Sequence, residues 1–447
     1  MVDPSRRVRR DMAVRAALAR RLLTDDAPLA ALLDLQDIRE SASALHAAFA
    51  EVAAPGQRVT HTFAVKACSL VPVLRFLGGL GIGCEVASPG ELALARAAGI
   101  AADRIVLDSP AKTPSELRQA LALGIALNAD SPQELDRLDG LVPGAPGHGP
   151  LGLRVNPQVG GGSIDAMATA TATSKFGVPL ADPGARDWVL RAFAERPWLT
   201  RLHCHTGSQG IPLERMAEGV RALYGLAEEI NRAAGRRQVD TLDIGGGLPV
   251  NFASEETTPS FADYARLLRR EVPGLFDGRY GLVTEFGRSL LAKSGTILAR
   301  VEYTKSAGGR PIAVTHAGAQ VAVRTVFAPS SWPLRVAAYG PDGVPKTGGP
   351  LRQDVAGPCC FAGDLVARDR PLPPLAPGDV VALLDTGAYY PSTPFGYNAL
   401  PRPGVYGFRL AAPGGPDDAV AFTVIRRPQT LAGLVEEAGG DVPEAQW

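Results

Sequence analysis

A chain of 447 residues amounts to about three domain-lengths at roughly 150 residues each, or one α/β barrel of about 250 residues with a smaller companion. Lysine plus arginine number 46 and so do aspartate plus glutamate, so the formal net charge of zero gives no overall field for a polyanion and excludes nucleic acid as a partner. Hydrophobic residues make up 46% of the chain, enough for a sizeable core, yet no apolar run approaches the roughly 20 residues that a membrane span needs.

The arginine-rich opening from Arg6 to Arg21 predicts an amphipathic helix; it carries Asp11 and has no apolar signal core, so it is not read as a targeting segment. PLAALLDL near residue 30 predicts a strand that joins the C-terminal domain. Five cysteines (Cys68, Cys84, Cys204, Cys359, Cys360) are odd in number, scattered and without a CxxC pair, which points to a reducing, cytoplasmic setting and no metal centre.

Between Thr60 and Ser289 one theme repeats: a short apolar or β-branched run ending in polar residues, then a longer stretch with helical spacing. Eight runs carry it: 62–67, 83–88, 104–109, 126–130, 151–156, 201–208, 241–247 and 282–288. Eight is the number that closes a (β/α)8 barrel. The helical stretches Pro89–Ala98, Pro114–Leu123 and Pro132–Leu138 open on proline, whose missing N–H is not needed in a first turn. Val142–Pro150 reads as an exposed turn, and the Gly-, Ala- and Thr-rich segment Val159–Ser174 as a candidate lid. After Ser294 the helices fade, and TILARVEY, RPIAVTH, VAVRTVF, DVVALLDTGAY and GVYGFRL predict strands of a second, β-rich domain. The division is therefore 1–35 (helix and strand), 36–293 (TIM barrel) and 294–447 (C-terminal β-domain).

Functional residues of such a barrel sit at the C-terminal ends of its strands. Those ends read FAVKA (Lys66), CEVASPGE (Glu85), LRVNP (Arg154), SKFG (Lys175), HCHTGSQ (His203, His205, Ser208), DIGGGLP (Gly245, Gly246, Gly247) and TEFGR (Glu285, Arg288). GPCCFAGD and DTGAYYPSTPFGYN follow in the second domain. The set, in this order and spacing, resembles the fold-type III pyridoxal-phosphate decarboxylases, the family of ornithine and diaminopimelate decarboxylases.

The resemblance implies a pyridoxal 5'-phosphate cofactor and a homodimer with shared active sites. Lys66 becomes the cofactor lysine, a role suited to an amine whose pKa is lowered by burial after an apolar strand; Lys112 and Lys175 are its rivals. Glu85, Arg154, His205, Ser208, the three glycines, Arg288 and Tyr389 line the cofactor, with bare glycine N–H groups and Arg288 on the phosphate and His205 against the ring. Glu285 is the deciding residue, because a carboxylate beside the pyridine nitrogen keeps it protonated and favours loss of CO2. Cys360 returns a proton to the substrate carbon from a neighbouring copy, Asp364 lies in its loop, and Cys359 is structural.

Two departures bear on the substrate. The acid that follows the family cysteine is here Phe361, and a second acidic position of the ornithine enzymes is Ala317, so neither anionic anchor for a distal ammonium is present. Arg324 matches an arginine that faces a distal carboxylate in diaminopimelate enzymes. Phe286 replaces the proline of the family's Glu-Pro-Gly-Arg. The expectation is Cα-decarboxylation of an amino acid with a neutral, apolar or carboxylate-bearing tail in a specialised pathway. The alternatives are a diaminopimelate or ornithine-type decarboxylase, an amino-acid racemase and a non-catalytic regulatory protein.

Overall fold

The first strand, β1 (Leu29–Asp34), stands apart from the next nine: β2 (Val59–Ala64), β3 (Gly83–Val86), β4 (Ile105–Asp108), β5 (Ala126–Ala129), β6 (Leu151–Asn156), the two-residue β7 (Val178–Pro179), β8 (Leu199–His203), β9 (Thr241–Asp243) and β10 (Gly281–Phe286). In the computed structural model, which describes residues 5–410 and 420–440, all of these except β7 form a closed parallel barrel in the order β5-β4-β3-β2-β10-β9-β8-β6, with β6 returning to β5. The eight predicted runs are the eight barrel strands. Arg39–Asn251 and Thr257–Leu290 make up this compact unit.

Local chemistry explains the alternation. After β3, β4 and β5 the chain enters helices Pro89–Ala97, Pro114–Leu123 and Pro132–Leu141, each with proline in its first turn. The side chains of Ser88, Thr113 and Ser131 accept the third-residue N–H of these helices, and Thr113 with Glu116 forms a reciprocal capping box. Inside the barrel, Val106, Ala126 and Val283 form an apolar plug. Two residues further along the same strands come Asp108, Asn128 and Glu285, because side chains two apart share a face. The barrel therefore changes from apolar to charged within one pleat.

The segment Val159–Ser174 is tied down along its length. Gly160, Ser163 and Thr169 donate their backbone N–H groups to Ala170, Gly210 and Thr206, while Ser208 donates to Met167. Asn156 Nδ2 also holds the Thr171 carbonyl at 2.9 Å.

The second unit comprises Met1–Ile38, Phe252–Glu256 and Leu291–Trp447. Its strands are β1, β11 (Gly295–Ala307), β12 (Arg310–Thr315), β13 (Val336–Tyr339), β14 (Leu351–Ala356), β15 (Leu365–Leu372), β16 (Val380–Leu384), β17 (Gly404–Leu410) and β18 (Val420–Arg426). The sheet runs β15-β14-β12-β11-β1-β17-β18, with β16 on β11 and β13 on β16. As expected, β1 joins this sheet, antiparallel to β11 and parallel to β17. The helix Arg6–Ala19 buries Ala13, Val14 and Ala17 in one of its two cores.

One predicted strand is a helix. VAVRTVF lies within the helix Ala319–Phe327, whose first turn is fixed by the Asp364 carboxylate accepting the Ala319 N–H at 2.6 Å. Ala319, Gln320, Val321, Ala322, Thr325 and Val326 are all buried, and this tertiary packing overrides the strand preference of the β-branched residues.

Candidate active site

The barrel mouth gathers the residues expected there. Lys66 sits on a 3-10 turn directly after β2 and pairs with Glu85 at the end of β3. Its side chain is 46% exposed, so the expected burial does not hold: the four-carbon stem carries the amine out of the strand end to the open mouth, above the buried Glu85. Burial raises the Glu85 pKa and the Lys66 ammonium opposes it. Neither rival lysine is placed for this work. Lys112 is buried and closed off by Glu134 at 2.8 Å and by the Ser109 and Asn128 carbonyls, whereas Lys175 lies over the Phe176 ring at 5.0 Å.

Strand register builds the floor. Arg154, His203 and Asp243 align across β6, β8 and β9. His203 Nδ1 lies 3.3 Å from Asp108 Oδ1 and its Nε2 lies 3.4 Å from Glu285 Oε2. Burial works against a charge on this imidazole, but Asp108, Glu285 and Asp243 overcome it and hold its pKa well above the usual value. Glu285 is raised well above the carboxylate range by burial, Asp243 and Asp108, with His203 opposing. Asp108, His203 and Glu285 each bring a donor atom within 4.8 Å of the others; with the imidazole between two carboxylates, this is an ion-paired chain. Arg201 reaches Asp243 at 3.5 Å, and Arg154 lies 3.8 Å from Asp130 and over the Phe176 ring at 4.3 Å.

His205 behaves differently from its neighbour two residues earlier. Its Nδ1 accepts the Gly246 N–H at 3.1 Å, and burial, Arg154 and Lys66 push its pKa well below the usual value, so the ring is neutral. Gly245 and Gly247 adopt positive φ (65° and 97°). A side chain at Gly246 would strike the Glu285 carbonyl and one at Gly247 the Gly207 carbonyl, so only glycine lets these loops meet. The expected row of bare N–H groups is shorter than read from sequence: Asp243 takes that of Gly245 at 3.2 Å and His205 that of Gly246. Arg288 is buried and reaches Ser208 Oγ at 3.5 Å. Phe286 points away from the mouth and packs at 5.0 Å against Phe261, with Phe49 and Tyr264 at 6.3 Å, so the position that departs from the family motif serves the wall.

The other expected residues belong to the second unit. Cys360 is exposed, whereas Cys359 is buried. Asp364 is buried and its two oxygens accept the N–H groups of Ala319 and Cys359 (2.6 and 2.7 Å), so it organises the cysteine loop. Ala317, just after β12, is fully buried in the core. Phe361 stacks on Phe327 at 5.4 Å with 9° between planes, and its edge meets Tyr397 at 5.8 Å. Arg324 lies over the rings of Tyr389 (4.6 Å) and Trp332 (5.1 Å), and its buried Nη1 has no hydrogen-bond partner.

Residues 35–292 match the pyridoxal-binding domain of the pyridoxal-dependent decarboxylases. The chain is 34% identical over 329 residues to the diaminopimelate decarboxylase of Pseudomonas aeruginosa, covering 73% of this chain and 76% of that protein. It is 33% identical over 378 residues to that of Actinosynnema pretiosum, covering 82% and 80%. This chain belongs to the pyridoxal-dependent decarboxylases. Among solved structures, the diaminopimelate decarboxylase of Helicobacter pylori complexed with L-lysine matches with a TM-score of 0.78 at 27% identity, over 93% of this chain and 97% of that one. The decarboxylase is thus a carboxy-lyase of fold type III whose cofactor is pyridoxal 5'-phosphate.

The mouth residues fit that cofactor. Glu285 Oε1 is buried without a hydrogen-bond partner, the glycine loop has no room for side chains, and the Lys66 amine stands at the opening. His203 carries no role in the sequence pattern HCHTGSQ, nor does Asp243 in DIGGGLP, and Asp108 belongs to none of the motifs named above. The signal was available, since each is the last residue of a barrel strand. No helix among the described residues is long and apolar enough to cross a membrane.

Proposed function

We propose that this decarboxylase removes the α-carboxylate of an amino acid whose side chain ends in a neutral, apolar or carboxylate-bearing group, in a homodimer with shared sites. Bound pyridoxal phosphate supplies a sink for the electron pair left when the carboxylate departs. Lys66 holds the cofactor and Glu85 orients the Lys66 amine. The Gly247 N–H, Ser208 and Arg288 hold its phosphate, with the hydroxyl of Tyr389 as a further donor. Arg154 bears on His205, whose neutral ring would serve as an apolar contact for the pyridine. Glu285 keeps a proton at the ring nitrogen. Cys360 from a second copy gives its Sγ proton to the carbon that lost CO2.

The observation that carries the substrate reading is Phe361. The residue after the exposed cysteine is a phenyl ring stacked among Phe327 and Tyr397, and it cannot compensate a desolvated distal ammonium. Arg324 has no ion-pair partner among the described residues, which suits a tail carboxylate. A second reading, diaminopimelate itself, is supported by the names of the relatives and by the same arginine.

CO2 release over a panel of apolar, acidic and diamino acids tests the first reading. Apolar or acidic substrates are expected to lead, and Phe361→Glu is expected to shift relative kcat/KM towards diamino substrates by about tenfold or more. An unmutated enzyme that turns over diaminopimelate, ornithine or lysine best overturns it. Mixing inactive Lys66→Ala with inactive Cys360→Ala is expected to restore activity, because a mixed dimer holds one intact site. No recovery after confirmed subunit exchange overturns the shared site.

A further inference from the structure

We propose that Asp108 and His203 set the proton that Glu285 holds for the cofactor: Asp108 puts the buried cluster one negative charge in excess, and His203 holds Glu285 in place. The inference rests on the reading that Glu285 faces the ring nitrogen. Asp108 and His203 act through Glu285, so both are positioning residues.

His203 sits between two acids at its two different nitrogens, Nδ1 3.3 Å from Asp108 Oδ1 and Nε2 3.4 Å from Glu285 Oε2, within ion-pair distance of both. Burial opposes a charge on the ring, but Asp108, Glu285 and Asp243 outweigh it and favour the imidazolium. The ring is 1% exposed, so bulk solvent does not screen these charges.

Every strand packed around His203 adds to the balance. Asp108 comes from β4, Asp243 from β9 and Glu285 from β10, against Arg201 on the same strand as His203. Arg154 on β6 is balanced by Asp130 beyond β5. His205 is neutral, and Lys66 is matched by Glu85. Three carboxyl groups (Asp108, Asp243, Glu285) therefore face two cations (Arg201, His203), and one proton must be kept. Burial and the two acidic neighbours place it on Glu285, whose Oε1 has no hydrogen-bond partner.

The two substitutions should act in opposite directions. Asp108→Asn removes the excess charge, so the proton shared by Glu285 and the ring is lost at lower pH. His203→Gln removes a cation, so the proton is held to higher pH. A charge within about 4–6 Å shifts such a constant by about one unit or more, a tenfold change.

The test is an absorbance titration of the cofactor-loaded protein, with the alkaline limb of kcat followed in parallel. The midpoint is expected to fall by about one unit or more in Asp108→Asn and to rise in His203→Gln. Asp108→Glu, which keeps the charge, is expected to restore the original midpoint. A merely structural role would not move the midpoint in opposite directions. If neither variant moves it, or both move it the same way, while Glu285→Gln changes the spectrum, the proposal is overturned and the reading of Glu285 stands. If Glu285→Gln leaves the spectrum unchanged, that reading fails and takes the proposal with it. Should a variant fail to fold, the unmutated protein decides. Its infrared spectrum before cofactor loading is expected to show a buried protonated carboxyl that loading removes, and the absence of that band overturns the proposal.

Discussion

Buried charge occurs in both units, and each handles it differently. In the β-rich unit Arg335 donates to both oxygens of Asp385 (2.9 and 2.7 Å) and reaches Glu255 at 2.7 Å, where Arg10 meets it, also at 2.7 Å. Arg9 pairs with Asp34 and Arg6 with Asp37. None of these side chains leaves a buried polar atom without a partner. At the barrel mouth Asp108, Asp130, Arg201, His203, Asp243 and Glu285 all do. The closed network ties the N-terminal helix and a five-residue excursion of the chain into one body. The open cluster keeps unmet hydrogen-bonding capacity where a ligand with complementary groups can use it.

The largest effect that would break this comparison is on stability. Arg335→Leu strands Asp385 and Glu255, and removing one partner of a buried pair typically costs about 3–5 kcal/mol. The urea midpoint should fall accordingly, with the cofactor absorbance of the folded fraction unchanged. A loss below about 1 kcal/mol would mean that the network is no more than surface charge.

Glu285→Gln should do the reverse. It removes one of three crowded acids, so the urea midpoint should hold or rise. Losing one aligned electrostatic group costs about a hundredfold in kcat or more. Destabilisation by several kcal/mol with kcat intact would place Glu285 among the structural charges.

Much of this contrast was legible in the sequence. Strand and helix alternate because apolar pairs and Ser-Pro or Thr-Pro caps recur, and charged residues end the strands. What could not be read was who partners whom. Lys66 looked buried because it follows an apolar strand, yet its stem carries the amine to the mouth. VAVRTVF has a strand's composition, but a carboxylate 45 positions away caps it as a helix. His203 was hidden by the better-known half of its own motif. Each miss is a long-range contact that spacing along the chain does not encode.

The smallest effect compares two histidines of the barrel. His61 on β2 is buried, its Nδ1 2.8 Å from Thr284 Oγ1, and burial followed by the nearby His46 lowers its pKa to about 3. In the unfolded chain it titrates near 6.5, so as pH falls below that value the unfolded state takes up a proton that the folded state refuses. Stability attributable to His61 is therefore present above pH 6.5 and drains away towards pH 3. For His203 the shift is upward, so its contribution is complete below pH 6.5 and is lost as pH rises through the higher folded value. One proton bounds either slope at about 1.4 kcal/mol per pH unit. Urea midpoints of the cofactor-loaded protein from acid to alkaline pH should show His61→Gln flattening the acid side and His203→Gln the alkaline side. If both variants flatten the same side, one histidine has been given the wrong charge, and the ion-paired chain from Asp108 to Glu285 is the first assignment to revise.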